Sequence, residues 1–256
     1  MIARIFTTFL LFSLSAGAAD RAPLLVSDVD DTVKIADVPH KGPAIVNGLF
    51  GEGIFGGMAP LYTVMAKEPD SLIFLSGGPT LLYGHAKDEL TDVDFPPFQL
   101  ILRDVFKKGN SVPVHKRARL EELLAANPDR TFILVGDDGQ ADPETLSGFA
   151  DAHPGKVLAV YIHRILARKV PASVTTYNTA FELALHEFAA GRITEADAAE
   201  VGHAVLATKA KRIFPDFVEC PRTIAYPTSS EIEASSELKA LIVENQTQWS
   251  SLCAGR

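Results

Sequence analysis

The chain has 256 residues, of which 47% are hydrophobic and 22% charged, with a formal net charge of −8. This is the composition of a globular protein and argues against long disordered stretches. The acidic balance argues against nonspecific nucleic-acid binding, which depends on phosphate neutralisation, and gives no general attraction to an anionic membrane surface.

Residues 1–19 carry one positive charge at Arg4, a mostly apolar run over 5–14 and small residues at 16–19. That is the pattern of a secretory signal peptide. The apolar run is too short for a comfortable membrane span. Export to a periplasm or to the outside is therefore expected, with the fold beginning near residue 20.

The stretch 24–34 holds the densest acidic chemistry of the chain. Leu24, Leu25, Val26 and Ser27 read as a short buried strand, and Asp28, Asp30 and Asp31 stand at its end. Carboxylates at the carboxyl end of such a strand lie in the crevice where open α/β sheets bind ligands. Three acidic groups this close repel one another and need a cation or a proton to relieve them. Mg²⁺ is the simplest such cation, because it takes carboxylate oxygens. A strand followed by a solvated acidic turn is the plainer reading of the turn alone.

Residues 35–57 are glycine-rich, with Gly51, Gly53 and Gly56 in dinucleotide-fingerprint spacing. The fingerprint requires a preceding strand in a βαβ unit, and 44–46 is a poor one. The stretch reads as a flap or short hairpin over the site, or as a plain glycine-rich loop. A helix is expected over 58–67 and a buried strand over 72–75, ending in Ser76, Gly77, Gly78 and Pro79. Pro79 suits a first helical turn. A helix over 81–90 would then aim its N-terminus at Ser76 and form an anion site.

A third strand is expected over 98–102, a loop over 106–114, and a helix opening near His115. Lys116 lies in the most basic local run, with His115, Arg117 and Arg119. A fourth strand over 131–135 opens into Gly136, Asp137, Asp138 and Asp142. Asp137 is a second candidate metal ligand on a different strand from Asp28. Asp142 either supports the ion or caps the helix from Pro143. A fifth strand over 157–162 precedes His163 and Arg164, which read as polar strand-end residues or as headgroup contacts, with the former favoured.

From Tyr177 the pattern turns helical, over 180–190, from Thr194 toward Lys211, and from 238–243. Residues 209–217 mix Lys209, Lys211 and Arg212 with Ile213, Phe214 and Phe217. They read as an amphipathic helix end, with interfacial binding as the other reading. The only cysteines, Cys220 and Cys253, lie far in sequence from the acidic motifs, which argues against a catalytic thiol. In an exported protein they could staple the tail, but sequence alone does not bring them within bonding distance.

The residues also resemble a known pattern. Asp28-Val29-Asp30-Asp31-Thr32-Val33, the strand ending in Ser76-Gly77, Lys116, and Gly136-Asp137 with Asp142 resemble, in order, the four motifs of the haloacid dehalogenase superfamily. The wording around Ser27–Lys34, Gly57-Met58 and Tyr62, 74–79, 132–137 and 139–144 is similar to the catalytic domain of the actin-patch phosphatidate phosphatases, over roughly 24–164.

The resemblance implies an α/β fold of the haloacid dehalogenase type: a Rossmannoid parallel sheet flanked by helices, with a small flap or cap and a helical C-terminal extension. The division implied is a signal peptide over 1–19, a catalytic domain over 20–170, and a helical extension over 171–256, packed on or beside the core. The activity implied is a Mg²⁺-dependent phosphatase acting through an aspartyl-phosphate on phosphatidate or a related phosphomonoester.

In that scheme Asp28 is the nucleophile and Asp30 the acid and base. Asp28, Asp137, Asp142 and the Asp30 backbone carbonyl serve the metal. Ser76, Gly77 and Lys116 hold the phosphoryl group, and Thr32 orients the turn. Where the family tends to have Ser after Gly-Asp, this chain has Asp138, a change expected to bear on metal or phosphate affinity. The partners implied are a phosphomonoester, including a phospholipid, with no nucleic acid and at most peripheral membrane contact. The alternatives are an exported phosphomonoesterase for soluble nucleotides or sugar phosphates, and a phosphate-binding module without turnover. A receiver-type phosphoacceptor domain is disfavoured, because Lys116 precedes the last acidic cluster.

Overall fold

The computed structural model describes residues 21–41, 53–220 and 233–254. Among these residues a six-stranded, all-parallel sheet forms from β1 (Leu24–Ser27), β2 (Leu72–Pro79), β3 (Phe98–Arg103), β4 (Phe132–Asp137), β5 (Val157–His163) and β6 (Thr175–Tyr177). The strand order is β3-β2-β1-β4-β5-β6.

The central strands are unbroken apolar runs because both faces of a parallel sheet are covered. Alternate residues serve opposite cores. Leu24, Val26, Ile73, Leu75, Phe132 and Leu134 point to one side. Leu25, Leu72, Phe74, Ile133 and Val135 point to the other. On the first side lie α4 (Val112–Ala126) and α5 (Asp142–Ala152), which contribute Leu120, Leu146 and Phe149.

The second side is covered by α2 (Met58–Met65) and by the C-terminal helices α6 (Ala180–Ala189), α7 (Glu195–Leu206) and α8 (Ser236–Cys253). Two short helices complete the set, α1 (Val38–Lys41) and α3 (Tyr83–Thr91). The C-terminal helices begin where the sequence offers side-chain caps. Thr179 accepts from Glu182 N, Ser235 accepts from Leu238 N, and Thr194 forms a reciprocal capping box with Asp197. Phe181, Leu185, Val201 and Trp249 join the same hydrophobic cluster as Leu25 and Phe74.

Gly57, at φ 81°, lies against α7. A Cβ there would sit 2.6 Å from Val205 Cγ2, so α2 can approach the tail this closely only with glycine at its start. The interfacial reading of 209–217 does not survive. Ile213 and Phe214 are buried, and Phe214 stacks on Trp249 at 4.9 Å. Cys220 and Cys253 are disulfide-bonded, with Cα atoms 5.6 Å apart. No helix among the described residues is long and apolar enough to cross a membrane.

The expected signal peptide lies outside the described residues, as do residues 42–52 of the expected flap. The base of that flap is described. Ile35 N donates to Gly53 O and Phe55 N to Val33 O, an antiparallel pairing next to β1. The helix expected over 81–90 starts later. β2 runs on to Pro79, a single 3₁₀ turn covers Thr80–Leu82, and α3 begins at Tyr83.

Candidate active site

The strand order reverses at β1, which has β2 on one side and β4 on the other. This switch point opens a crevice at the carboxyl edge of the sheet. Asp28 follows β1 and Asp137 ends β4. The Asp28 N–H donates to Val135 O at 2.9 Å, which pins the two ends together. Asp142 arrives from the first turn of α5. One carboxylate oxygen from each of Asp28, Asp137 and Asp142 lies within 4.8 Å of the others, and all three side chains are buried.

Lys116, on the first turns of α4, closes this cluster. Its Nζ lies 2.8 Å from Asp28 Oδ1 and 2.6 Å from Asp142 Oδ1. The basic run around it divides. His115 and Lys116 are buried, whereas Arg117 and Arg119 pair with Glu121 and Glu122. Asp142 does not cap α5, because no side-chain cap bond forms there. Its Oδ2 has no hydrogen-bond partner. Gly136 makes room for it, since a Cβ at 136 would lie 2.5 Å from Asp142 Oδ2. The Gly-Asp pair is thus a packing requirement of the acidic cluster.

The electrostatics follow from burial. Asp28 is pushed up to about 7 by desolvation, with Asp142 and Asp30 adding repulsion and Lys116 opposing. Asp137 is raised well above the usual carboxylate range, first by burial and then by Asp142 and Asp28. Burial works against the charge on Lys116, but Asp142, Asp28 and Asp137 outweigh it and raise its pKa. Three buried carboxylates share one ammonium, and one carboxylate oxygen is left unpartnered. Such a donor set fits a hard divalent cation.

The other predicted residues are arranged around this cluster. Thr32 Oγ1 approaches Asp137 Oδ2 at 3.5 Å. Ser76 Oγ accepts the Gly78 N–H at 2.9 Å, and Gly77 O accepts from Arg103 Nε at 2.9 Å. With α3 displaced to Tyr83, the N–H groups beside Ser76 come from the strand end and not from a helix N-terminus. The Asp30 side chain is not in the carboxylate trio. It lines a separate cavity of about 250 Å³ together with Ser76 and Gly78. Asp30 is raised to about 6, by desolvation against the opposing pull of Lys34. Leu82, Leu90, Leu100 and Leu102 give the cavity an apolar wall, and Arg212 reaches it from the tail.

Asp31 and Asp138 were not foreseen as structural residues. Asp31 adopts φ 58°, and its carboxylate accepts from Ala36 N at 2.9 Å and from Asp37 N and Val38 N at 2.7 Å each. It folds the chain after β1 back over the site. Asp138 points away from the trio. It accepts from Ile165 N at 2.6 Å, Leu166 N at 2.8 Å and Arg168 N at 3.2 Å. The expected effect of Asp138 on metal or phosphate therefore has no geometric support.

His163 is buried as well. Its Nδ1 donates to Asp31 O at 2.8 Å, and its ring stacks on Tyr177 at 5.0 Å. It supports the loop and does not face a headgroup. Short runs of N–H groups opposite Asp31 and Asp138 are tertiary features, and nothing in the local pattern announces them.

Comparison with known proteins finds relatives of part of this chain. An uncharacterized protein of Schizosaccharomyces pombe is 23% identical over 155 residues, covering 56% of this chain and 25% of its own length. The phosphatidate phosphatase APP1 of Saccharomyces cerevisiae is 27% identical over 150 residues, covering 54% of this chain and 25% of its own length. The chain thus spans about a quarter of the length of these relatives. No solved structure gives a significant match. The family model described as the catalytic domain of phosphatidate phosphatase APP1 matches residues 24–164, the stretch that carries Asp28, Ser76, Lys116, Asp137 and Asp142. The chain belongs to the family of the phosphatidate phosphatase APP1 catalytic domain.

Proposed function

We propose that this protein is an exported, Mg²⁺-dependent phosphatase that cleaves phosphomonoesters with an apolar leaving group, of which phosphatidate is the type, through an aspartyl-phosphate on Asp28. The observation that carries the proposal is the placement of the carboxylate–lysine cluster beside an apolar cavity that Asp30 and Ser76 border. The cavity lining also carries Lys34, His85, Glu89, Asp92 and Arg212, so the preference for an apolar leaving group over a nucleoside or sugar rests on the wall formed by its leucines. Export is supported by the leader pattern and by the Cys220–Cys253 disulfide, which suits an oxidising compartment. The division into a catalytic domain over 20–170 and a helical extension is part of the proposal.

Asp28, Asp137 and Asp142 would hold the cation, with the Asp30 backbone carbonyl as a further donor. Bound Mg²⁺ supplies Lewis-acid neutralisation of the phosphoryl charge. The chain's own residues do the rest. A carboxylate oxygen of Asp28 attacks phosphorus, and the bond from phosphorus to the ester oxygen breaks. Asp30 donates its proton to that departing oxygen.

Water then attacks phosphorus and gives a proton to Asp30. Inorganic phosphate leaves, and the Asp28 carboxylate is restored. Asp30 suits both steps because it stands on the cavity side, where the leaving group lies, and because burial holds its pKa at about 6. Lys116 keeps Asp28 oriented, and its charge, with Ser76 and the N–H groups near Gly77, stabilises the phosphoryl oxygens.

The test is phosphate release from phosphatidate micelles, a straight-chain alkyl phosphate series, and soluble nucleotide and sugar phosphates, with Mg²⁺ and with chelator. Release should require Mg²⁺ and rise with chain length. Leu100→Phe, which narrows the cavity, should flatten that rise. Equal or better rates on sugar phosphates would transfer the assignment to a general phosphomonoesterase. No release by folded, Mg²⁺-loaded protein would leave a binding module.

A further inference from the structure

Seven large apolar side chains stand out by their exposure among the described residues: Leu81, Tyr83, Val105, Phe106, Val114, Leu158 and Val243. Five of these seven belong to the segments that follow β2 and β3 at the carboxyl edge of the sheet, where the cavity lies. Leu81 is 81% exposed and Phe106 85%. Side chains of this size left in water along one edge of a sheet, after two neighbouring strands, mark an interaction surface.

The two segments form one face. Pro79 pairs with Arg103, which also donates to Gly77 O and Asn110 O. The turn that carries Phe106 is tied down. Phe106 N donates to Asp104 Oδ1 at 2.9 Å, and Asn110 Nδ2 donates to Asp104 O at 2.9 Å. Phe106 is thus held outward by a braced loop.

Charge identifies what this face meets. Lys107 and Lys108 follow Phe106 directly and are exposed, and neither forms an ion pair among the described residues. From 103 to 114 the chain carries Arg103, Lys107 and Lys108 against Asp104 alone, a local excess of cations in a chain whose net charge is −8. Apolar side chains interleaved with lysines are the composition of a surface that enters the headgroup layer of an anionic bilayer. The face is also continuous with the cavity, because Pro79, Leu82 and Leu102 line the cavity and adjoin Leu81 and Arg103. A chain lifted from the bilayer at this face has an apolar path to Asp30. A protein partner would not need one.

We infer that the loops after β2 and β3, led by Leu81 and Phe106 with Lys107 and Lys108, dock the protein on an anionic phospholipid bilayer with the active site facing the lipid. The path to Asp30 rests on the proposed function, whereas the docking itself does not.

The experiment is co-sedimentation of the full chain with phosphatidylcholine vesicles, with and without phosphatidylglycerol as a non-substrate anionic lipid, at low and high salt. Wild type is expected to sediment with the anionic vesicles and to be released by salt. L81S/F106S should bind about tenfold or more weakly, and K107E/K108E should lose the salt-sensitive part. Both should keep wild-type thermal unfolding and wild-type release from a soluble monoester.

Wild type that stays in the supernatant overturns the inference. So does L81S/F106S that sediments like wild type, or a vesicle-free dimer that the same substitutions dissolve. A protein that binds vesicles as described but releases no phosphate from any ester sinks the phosphatase proposal and leaves the docking face standing.

Discussion

Lys116 holds its ammonium 2.8 Å from Asp28 Oδ1, with each side chain only 5% exposed. The same ammonium serves Asp142, so it is the one protein cation within bonding distance of the buried trio among the described residues. Lys116→Met should therefore cost about 3–5 kcal/mol, because it leaves buried carboxylates uncompensated. Urea unfolding in chelator measures this. A loss below about 1 kcal/mol would mean that the carboxylates are not charged together. Mg²⁺ should recover part of the loss by taking over the compensation.

Asp30 and Asp137 separate chemistry from metal binding. Asp30 borders the cavity and Asp137 belongs to the trio. Asp30→Asn should lower turnover by about 10²–10⁴-fold and leave the Mg²⁺-induced rise in melting temperature intact. Asp137→Asn should abolish that rise. Calorimetry alongside phosphate release distinguishes them. A lost Mg²⁺ response in Asp30→Asn would move the Asp30 side chain into the metal site.

The metal response should depend on pH with a definite sign. Asp28 titrates at about 7 in the folded protein, chiefly because it is buried, against an ordinary value of 3.8. The folded state therefore holds a proton that the unfolded chain has lost between these values. Without metal, this group's contribution to stability is present below 3.8 and is lost as pH rises through 7. The cation needs the ionised carboxylates, so its stabilisation should grow over the same window. Near a hundredfold excess over its Kd, it should raise the melting temperature by about 5–10 °C at pH 8, and by much less at pH 5. Equal rises at both values would contradict the raised Asp28.

Asp138→Ser should be a stability mutation. The carboxylate is fully buried and accepts three backbone N–H groups from 165–168. Shortening it leaves those donors unpaired, at about 2–4 kcal/mol. KM and the Mg²⁺ titration should stay as in wild type. A shifted Mg²⁺ titration at unchanged stability would restore the expectation drawn from sequence.

The central strands were legible because their apolar runs are short and continuous. Asp28 and Asp137 were legible because each stands at a strand end, whereas Lys116 and Asp142 took their roles from the resemblance to the haloacid dehalogenase motifs, the basic run and the helix start alone reading as a solvated face and a cap. The start of α3 was misplaced because Pro79, a good first-turn residue, is instead the last residue of β2 opposite Arg103. Asp31 and Asp138 looked like more of the same acidic chemistry. Only the tertiary placement of N–H groups at 36–38 and 165–168 separates them from Asp28 and Asp137. The tail's mixed basic and aromatic stretch read as an amphipathic helix end, with interfacial binding as the other reading, and sequence alone could not choose because the cover of Phe214 comes from Trp249, 35 residues later in the chain. The exposed pair Leu81 and Phe106 went unmarked, because single apolar residues in loops carry no periodic signal.

The contact between Gly57 and Val205 bears on how this chain can be cut. The family match stops at residue 164, yet the cluster that includes Met58, Leu61 and Phe74 runs without a break to Leu238 and Trp249. What is inherited as one segment is therefore not what folds as one unit. A fragment trimmed to the matched region would keep every acidic motif and α2, and lose the C-terminal helices that shield the same face of its sheet. Expressed alone, it should aggregate or populate a loosely packed state, and its silence in an assay would say nothing about the chemistry of the intact chain.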